Sequence, residues 1–158
     1  MFDCFLSYNR SDESAVRALA GELRGKGVSV WLDEEQLPPG IPWQPLLEDG
    51  IRASRSIVVL VGRDGLGPWQ AEEIRAALSL AIEDRRPVIP VLLAGAPAMR
   101  ELPMFLRERT WVDLRSSSQV EGFVGLDQLV WGITGARSDV SSPRDTMPPW
   151  SPYDGKSL

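Results

Sequence analysis

Short apolar runs alternate along the chain with stretches whose apolar residues recur every three or four positions, and this alternation predicts the elements. Residues 2–8 read as a strand, and over residues 11–26 Val16, Leu19, Ala20 and Leu23 fall at helical spacing, with Ser11 as N-cap and Gly27 as stop. Residues 28–33 predict a second strand, residues 34–42 a loop rich in proline and glycine, and residues 43–53 a helix with Leu46, Leu47, Gly50 and Ile51 inward. The run over residues 56–62 is unbroken and β-branched, which predicts a strand covered on both faces. After a loop at 62–67, Pro68 suits the first turn of a third helix, whose stripe is Ile74, Ala77, Leu78, Ala81 and Ile82. Residues 87–93 form a fourth strand in which Pro87 and Pro90 predict an edge position or a bulge. A weak helix over 98–106, a short strand over 110–114 and a last helix over 120–133 follow, the last with Phe123, Leu126, Val130 and Ile133 on one side.

Five strand–helix units over residues 1–134 predict an α/β domain. The expected fold is a flavodoxin-like, doubly wound five-stranded parallel sheet in the order 2-1-3-4-5, flanked by helices with right-handed crossovers. In that order the strand sequence reverses between strands one and three, and a ligand crevice is expected at their C-terminal ends. Ser7, Tyr8 and Asn9 would form one wall, and the loop 62–67 with the start of the third helix the other. Residues 135–158 hold Pro143, Pro148, Pro149, Pro152 and five serines without apolar periodicity. They read as a flexible tail or a linker to a further domain.

Composition narrows the chemistry. The 158 residues are 43% hydrophobic and 25% charged, enough for a buried core, and no apolar run or N-terminal leader pattern predicts a membrane span or a signal peptide. There is no histidine, which removes Ser-His-Asp and Cys-His catalysis, histidine general bases and histidine-ligated zinc. A single cysteine, Cys4, removes an intrachain disulfide and a thiolate cluster, and makes the cytoplasm the default location. A net charge of −5 argues against direct nucleic-acid binding or an anionic membrane surface.

Few residues are left to carry a reaction. The loop Gly62-Arg63-Asp64-Gly65-Leu66-Gly67 stands where a phosphate loop would, but no Gly-Lys-Ser/Thr follows and the dinucleotide spacing is wrong, so it reads as a turn. A phosphoacceptor site is disfavoured because the third strand ends in Val61-Gly62, with no aspartate at its tip. Glu73 lies four residues after Trp69, so both project from one side of the third helix, near its start and on the crevice side of the apolar stripe. The alternative for Glu73 is a solvated acid favoured by the helix dipole, and that alternative is preferred for Glu72.

Four segments, in order, resemble the Toll/interleukin-1 receptor (TIR) family. Phe5-Leu6-Ser7-Tyr8-Asn9-Arg10-Ser11-Asp12 is similar to its first box. Val30-Trp31-Leu32-Asp33 with Leu37-Pro38-Pro39-Gly40 and Trp43 is similar to its second strand and the following BB loop. Ile51-Arg52-Ala53-Ser54-Arg55-Ser56 and the apolar strand after it match a third segment. Trp69-Gln70-Ala71-Glu72-Glu73 resembles the Trp-x-x-x-Glu motif of the NAD-cleaving members, and the pattern suits bacterial members best.

The resemblance implies NAD+ as substrate, with no cofactor and no metal. It implies cleavage of the nicotinamide–ribose bond with Glu73 as the catalytic carboxylate. It further implies Ser7, Tyr8, Asn9, Arg10, Trp31, Asp33 and Trp69 as substrate-binding candidates. Arg10 is a candidate for a phosphate or a solvated loop residue, Trp31 a stacking or a core residue, and Ser7 a crevice hydroxyl with no base to activate it. Leu37, Pro38, Pro39, Gly40 and Trp43 would form an assembly loop. Implied partners are further copies through TIR–TIR contacts and a regulatory sensor domain or partner protein. Antiphage immunity by NAD depletion is the implied physiology. Two rivals stand beside this reading: a non-enzymatic TIR scaffold, and a nucleoside-processing enzyme such as a deoxyribosyltransferase, which also uses a glutamate on such a sheet.

Overall fold

The computed structural model describes residues 1–66, 74–75, 79–81, 83–116 and 123–136. Five parallel strands form one sheet: β1 (Phe2–Ser7), β2 (Val30–Trp31), β3 (Ser54–Val61), β4 (Val88–Leu92) and β5 (Val112–Asp113), in the order β2-β1-β3-β4-β5. The expected order is the observed one. Among the described residues, helices with defined bounds are α1 (Glu13–Gly25), a short α2 (Asp33–Gln36), α3 (Trp43–Arg52), a single turn Met104–Arg107 and a last helix Leu126–Thr134.

Successive strand side chains point to opposite faces, and the chain uses both. Cys4 and Leu6 of β1 and Val58 and Leu60 of β3 join Val16, Leu19 and Leu23 of α1 and Leu129 and Ile133 of the last helix in one core. Phe5, Ile57, Val59 and Val61 join Leu47 and Ile51 of α3, together with Ile74, Ala81 and Leu106, in the other. Cys4 is completely buried, and burial, reinforced by the nearby Asp3 carboxylate, pushes its thiol up to about 12. It is therefore protonated packing, without a reactive thiolate.

Several elements differ from expectation for local reasons. Ser11 does not cap α1. It sits in a 3-10 turn, Arg10–Asp12, where the Asn9 side chain accepts from the Ser11 N–H. Asp33–Gln36 is helical where the end of the second strand and the start of a loop were expected, and the 98–106 helix is broken into a 3-10 turn (Met99–Glu101) and a single helical turn that begins after Pro103. The last helix begins at Leu126 because Gly125 precedes it in the left-handed region, at φ 99°. Pro90 is not on an edge: β4 lies between β3 and β5. However, β5 pairs only with Val91 and Leu92, so Pro90 has no β5 partner to disappoint. The tail from residue 137 onward lies outside the described residues.

Two glycines show how tightly the layers fit. A Cβ at Gly50 on α3 would stand 2.6 Å from Nε1 of the buried Trp31 indole and closer still to Cε2, whereas one at Gly132 would meet only the tip of Ile89, at 2.9 Å. Gly50→Ala is expected to destabilise the fold by about 1–3 kcal/mol through overpacking against a rigid ring. Gly132→Ala is expected to be close to neutral, because Ile89 can turn aside and alanine favours the helix by about 1 kcal/mol. Chemical denaturation of the two variants beside the wild type reads the contrast directly.

Candidate functional site

The site is sought where β1 and β3 end side by side, because the sheet order reverses there and the chain leaves in opposite directions. Ser7 closes β1, is 1% exposed and pairs in register with Val59. Tyr8 follows with its ring in the α1-side core, and its hydroxyl donates to Asp33 Oδ1 at 2.6 Å. That bond ties the end of β1 to the first residue of α2. Asn9 Oδ1 accepts from both the backbone N–H and the hydroxyl of Ser11, each at 3.1 Å. Arg10 then stands exposed on the turn.

Trp31 is core. It is 4% exposed, its ring lies stacked on Phe5 with centroids 4.6 Å apart, and its edge is against Gly50. The packing role that the sequence offered for it is realised. Leu37 and Trp43 are half-buried against this same core, while Pro38, Pro39, Gly40 and Ile41 between them are exposed, Ile41 at 52%. The loop is thus pinned at both ends with its tip in solvent. Gly40 has φ 86°, a conformation that favours glycine.

The structure therefore brings Ser7, Tyr8, Asn9, Arg10 and Asp33 to one end of the sheet and seats Trp31 below them. Trp69 and Glu73 lie outside the described residues. A hollow of about 450 Å³ lies instead at the start of β1 and β2, lined by Phe2, Ser29, Val30 and the Arg24–Glu35 ion pair. It is at the opposite end of the strands from the crevice.

Sequence reasoning missed one residue of this region, Asp12. It occupies the N-cap position of α1 yet makes no capping bond. Its carboxylate lies against Gly62 and accepts that residue's backbone N–H. Its signature, an aspartate just before a helical stripe, is that of an ordinary cap, so nothing local could reveal the longer reach. Burial pushes the Asp12 carboxyl above the ordinary carboxylate range, the Asp64 charge adds to this, and the Gly62 N–H opposes it.

Two expectations follow. Tyr8→Phe removes a hydrogen bond to a carboxylate and is expected to lower stability by about 1–2 kcal/mol, measured by denaturant unfolding. A carboxyl whose folded pKa is raised contributes its full stability below its unfolded pKa, and that contribution is lost as pH rises through the folded value. Asp12→Asn is therefore expected to gain in melting temperature relative to wild type at pH 7 and to lose that advantage at pH 3.5, below the ordinary Asp value of 3.8.

Comparison with known proteins agrees with this architecture. The TIR domain family model matches residues 4–130. Among curated relatives, NAD(+) hydrolase TcpA of a Theionarchaea archaeon is 34% identical over 92 residues, 57% of this chain and 28% of that protein. NAD(+) hydrolase PdTIR of Paracoccus denitrificans is 32% identical over 91 residues, 56% of this chain and 30% of that one. The 2' cyclic ADP-D-ribose synthase AbTIR of Acinetobacter baumannii is 28% identical over 92 residues, 57% of this chain and 34% of that one. The matched region thus spans about a third of each relative's length. Among solved structures, a metazoan TIR-STING receptor from C. gigas superposes with a TM-score of 0.70 at 22% identity, over 84% of this chain and 39% of that one. The TIR domains of the activated Roq1 resistosome superpose with a TM-score of 0.66 at 18% identity, over 82% of this chain and 98% of that one. With the sheet order, the two-faced core and a family match over most of its length, this chain belongs to the TIR domain family.

Proposed function

We propose that the chain is a NAD+ glycohydrolase that cleaves the nicotinamide–ribose bond, releasing nicotinamide and ADP-ribose or a cyclic isomer. The observation that carries this reading is its similarity, over just over half its length, to TIR proteins named as NAD(+) hydrolases and as a cyclic ADP-D-ribose synthase. The Trp69-x-x-x-Glu73 segment supports it from the side of chemistry.

In this reading Glu73 works without a histidine. The leaving group is a pyridinium that departs as neutral nicotinamide, so no acid has to protonate it. The C1′–N bond breaks with its electron pair going to the ring nitrogen, and positive charge develops on the ribose as an oxocarbenium-like centre. One carboxylate beside that centre stabilises the charge and holds the sugar hydroxyls. Water then adds at C1′ and gives up a proton, or a hydroxyl or ring nitrogen of the same molecule closes the cycle. Tyr8, Asn9 and Arg10 would line the nucleotide, with Arg10 toward the phosphates, and Trp31 would support the crevice from below.

Assembly completes the proposal. The exposed tip at residues 38–41, pinned by Leu37 and Trp43, would serve as the contact loop for a second copy, a role its exposure supports. A sensor domain or partner protein would cluster the copies. A cytoplasmic setting and a role in bacterial antiphage defence fit this chemistry. That same exposed tip also favours the second reading, a TIR scaffold that acts by TIR–TIR contact alone.

The test is nicotinamide release from NAD+ at several protein concentrations with a crowding agent, wild type beside Glu73→Ala. Release should rise steeply with concentration and fall by about two to three orders of magnitude in the variant, with melting temperature and self-association unchanged. A variant that keeps wild-type turnover removes Glu73 from the site. No release even from enforced oligomers selects the scaffold.

A further inference from the structure

The carboxylate of Asp12, in the chain leaving β1, lies against Gly62, in the chain leaving β3. A Cβ built on Gly62 would stand 2.5 Å from both Cγ and Oδ2 of Asp12, and closer still to Oδ1. The carboxylate therefore occupies the space that any side chain at 62 would need. Gly62 is not among the glycines with positive φ. The glycine is demanded by this close approach, not by its backbone angles.

Both sides of the contact are stiff. On one side, the Asp12 N–H donates to Asn9 O at 2.8 Å and Asn9 Oδ1 accepts from Ser11, so residues 9–12 form a single tied turn. On the other, the Gly65 N–H donates to Gly62 O at 3.0 Å, closing a tight turn at the start of the chain that leads on to Glu73. Asp12 Oδ2 is buried and has no hydrogen-bond partner among the described residues. A carboxylate is held here although burial and the neighbouring Asp64 disfavour its charge, and it gives α1 no cap in return.

We propose that Asp12 is a positioning residue of the NAD-cleaving site: its clamp on the Gly62 N–H sets the separation between the loop after β1 and the turn Gly62–Gly65 after β3, which precedes Glu73 in the sequence. The proposal rests on the NAD-cleaving reading for its function, and on the Asp12–Gly62 geometry alone for the clamp.

The test is a double-mutant cycle on the whole chain under assembling conditions, assayed well below each variant's melting temperature. Asp12→Ala is expected to raise the KM for NAD+ and lower kcat/KM at least about tenfold, since small misplacements of a reacting constellation have effects of this size. Asp12→Asn keeps an oxygen for the Gly62 N–H and should stay within about threefold of wild type. Gly62→Ala should mimic Asp12→Ala by displacing the carboxylate. Gly62→Ala added to Asp12→Ala should change nothing further, in kinetics or in melting temperature, because the colliding group is gone. Hydrogen exchange at the Gly62 amide should quicken at least about tenfold in Asp12→Ala and not in Asp12→Asn.

Additive effects of the two substitutions, or an unchanged Gly62 amide in Asp12→Ala, would overturn the clamp whether or not the chain turns over NAD+. A fall in kcat/KM that Asp12→Asn does not rescue would overturn the positioning role. An intact clamp in a wild type that releases no nicotinamide would overturn the NAD reading instead.

Discussion

The structure depends on one constraint: β3 is buried on both faces from Ser56 to Val61, with each apolar side chain from Ile57 to Val61 at 0% exposure. A strand in that position can be satisfied only by helices on both sides of the sheet, and helices on both sides require crossovers between parallel neighbours. Even its two serines obey the rule. Ser54 donates to Gly50 O and Ser56 to Asp3 O, each at 2.7 Å, so their burial leaves no hydroxyl unsatisfied. Arg86 serves the same layer from outside, donating through Nη1 to Ile51 O and Ser54 O where α3 hands over to β3.

That constraint also decides where chemistry can occur. With both faces of the sheet filled, polar side chains can converge only at strand ends, and the order β2-β1-β3-β4-β5 opens the ends of β1 and β3 toward each other. The residues gathered there are held by two bonds between carboxylates and neutral donors. Tyr8 to Asp33 draws the start of the loop after β2 against β1, and Asp12 to the Gly62 N–H draws the turn after β1 against β3. The loops at this end of the sheet are thus fastened to neighbouring elements at named points, while the Phe5–Trp31 stack lies in the core.

Much of this could be read from the sequence, and the part that could not shares one property. The strands and the covered central strand followed from hydrophobic pattern, because the unbroken run of β3 is a local signal, and the strand order followed from the doubly wound fold class that the alternation of strands and helices implied. The packing role of Trp31 was one of two readings that the sequence left open, and it shows only through neighbours distant in the chain, Phe5 stacked on the ring and Gly50 of α3 against its edge. Ser11 and Asp12 both look like helix caps, yet Asn9 holds the turn and Asp12 reaches a residue fifty positions later, a contact written in Gly62 as an absent side chain. The short α2 and the late start of the last helix turn on single residues whose weight depends on neighbours from other elements. Glu73 and Trp69 stand on the sequence motif alone.

The absence of histidine is consistent with the whole arrangement. A histidine-free crevice is poor at moving protons near neutral pH, so it suits a bond whose leaving group needs none. The demand on such a site shifts from proton transfer to electrostatics and placement: one carboxylate must lie close to a developing cation and stay there. In the proposed reaction, placement would have to come from the scaffold, and the scaffold holds contacts too close for any side chain larger than glycine, Gly50 beneath Trp31 and Gly62 beneath Asp12. An aspartate kept in a site that raises its pKa, where an asparagine would be easier to bury, makes physical sense if the position of the loop it holds matters more to the protein than the stability it forgoes.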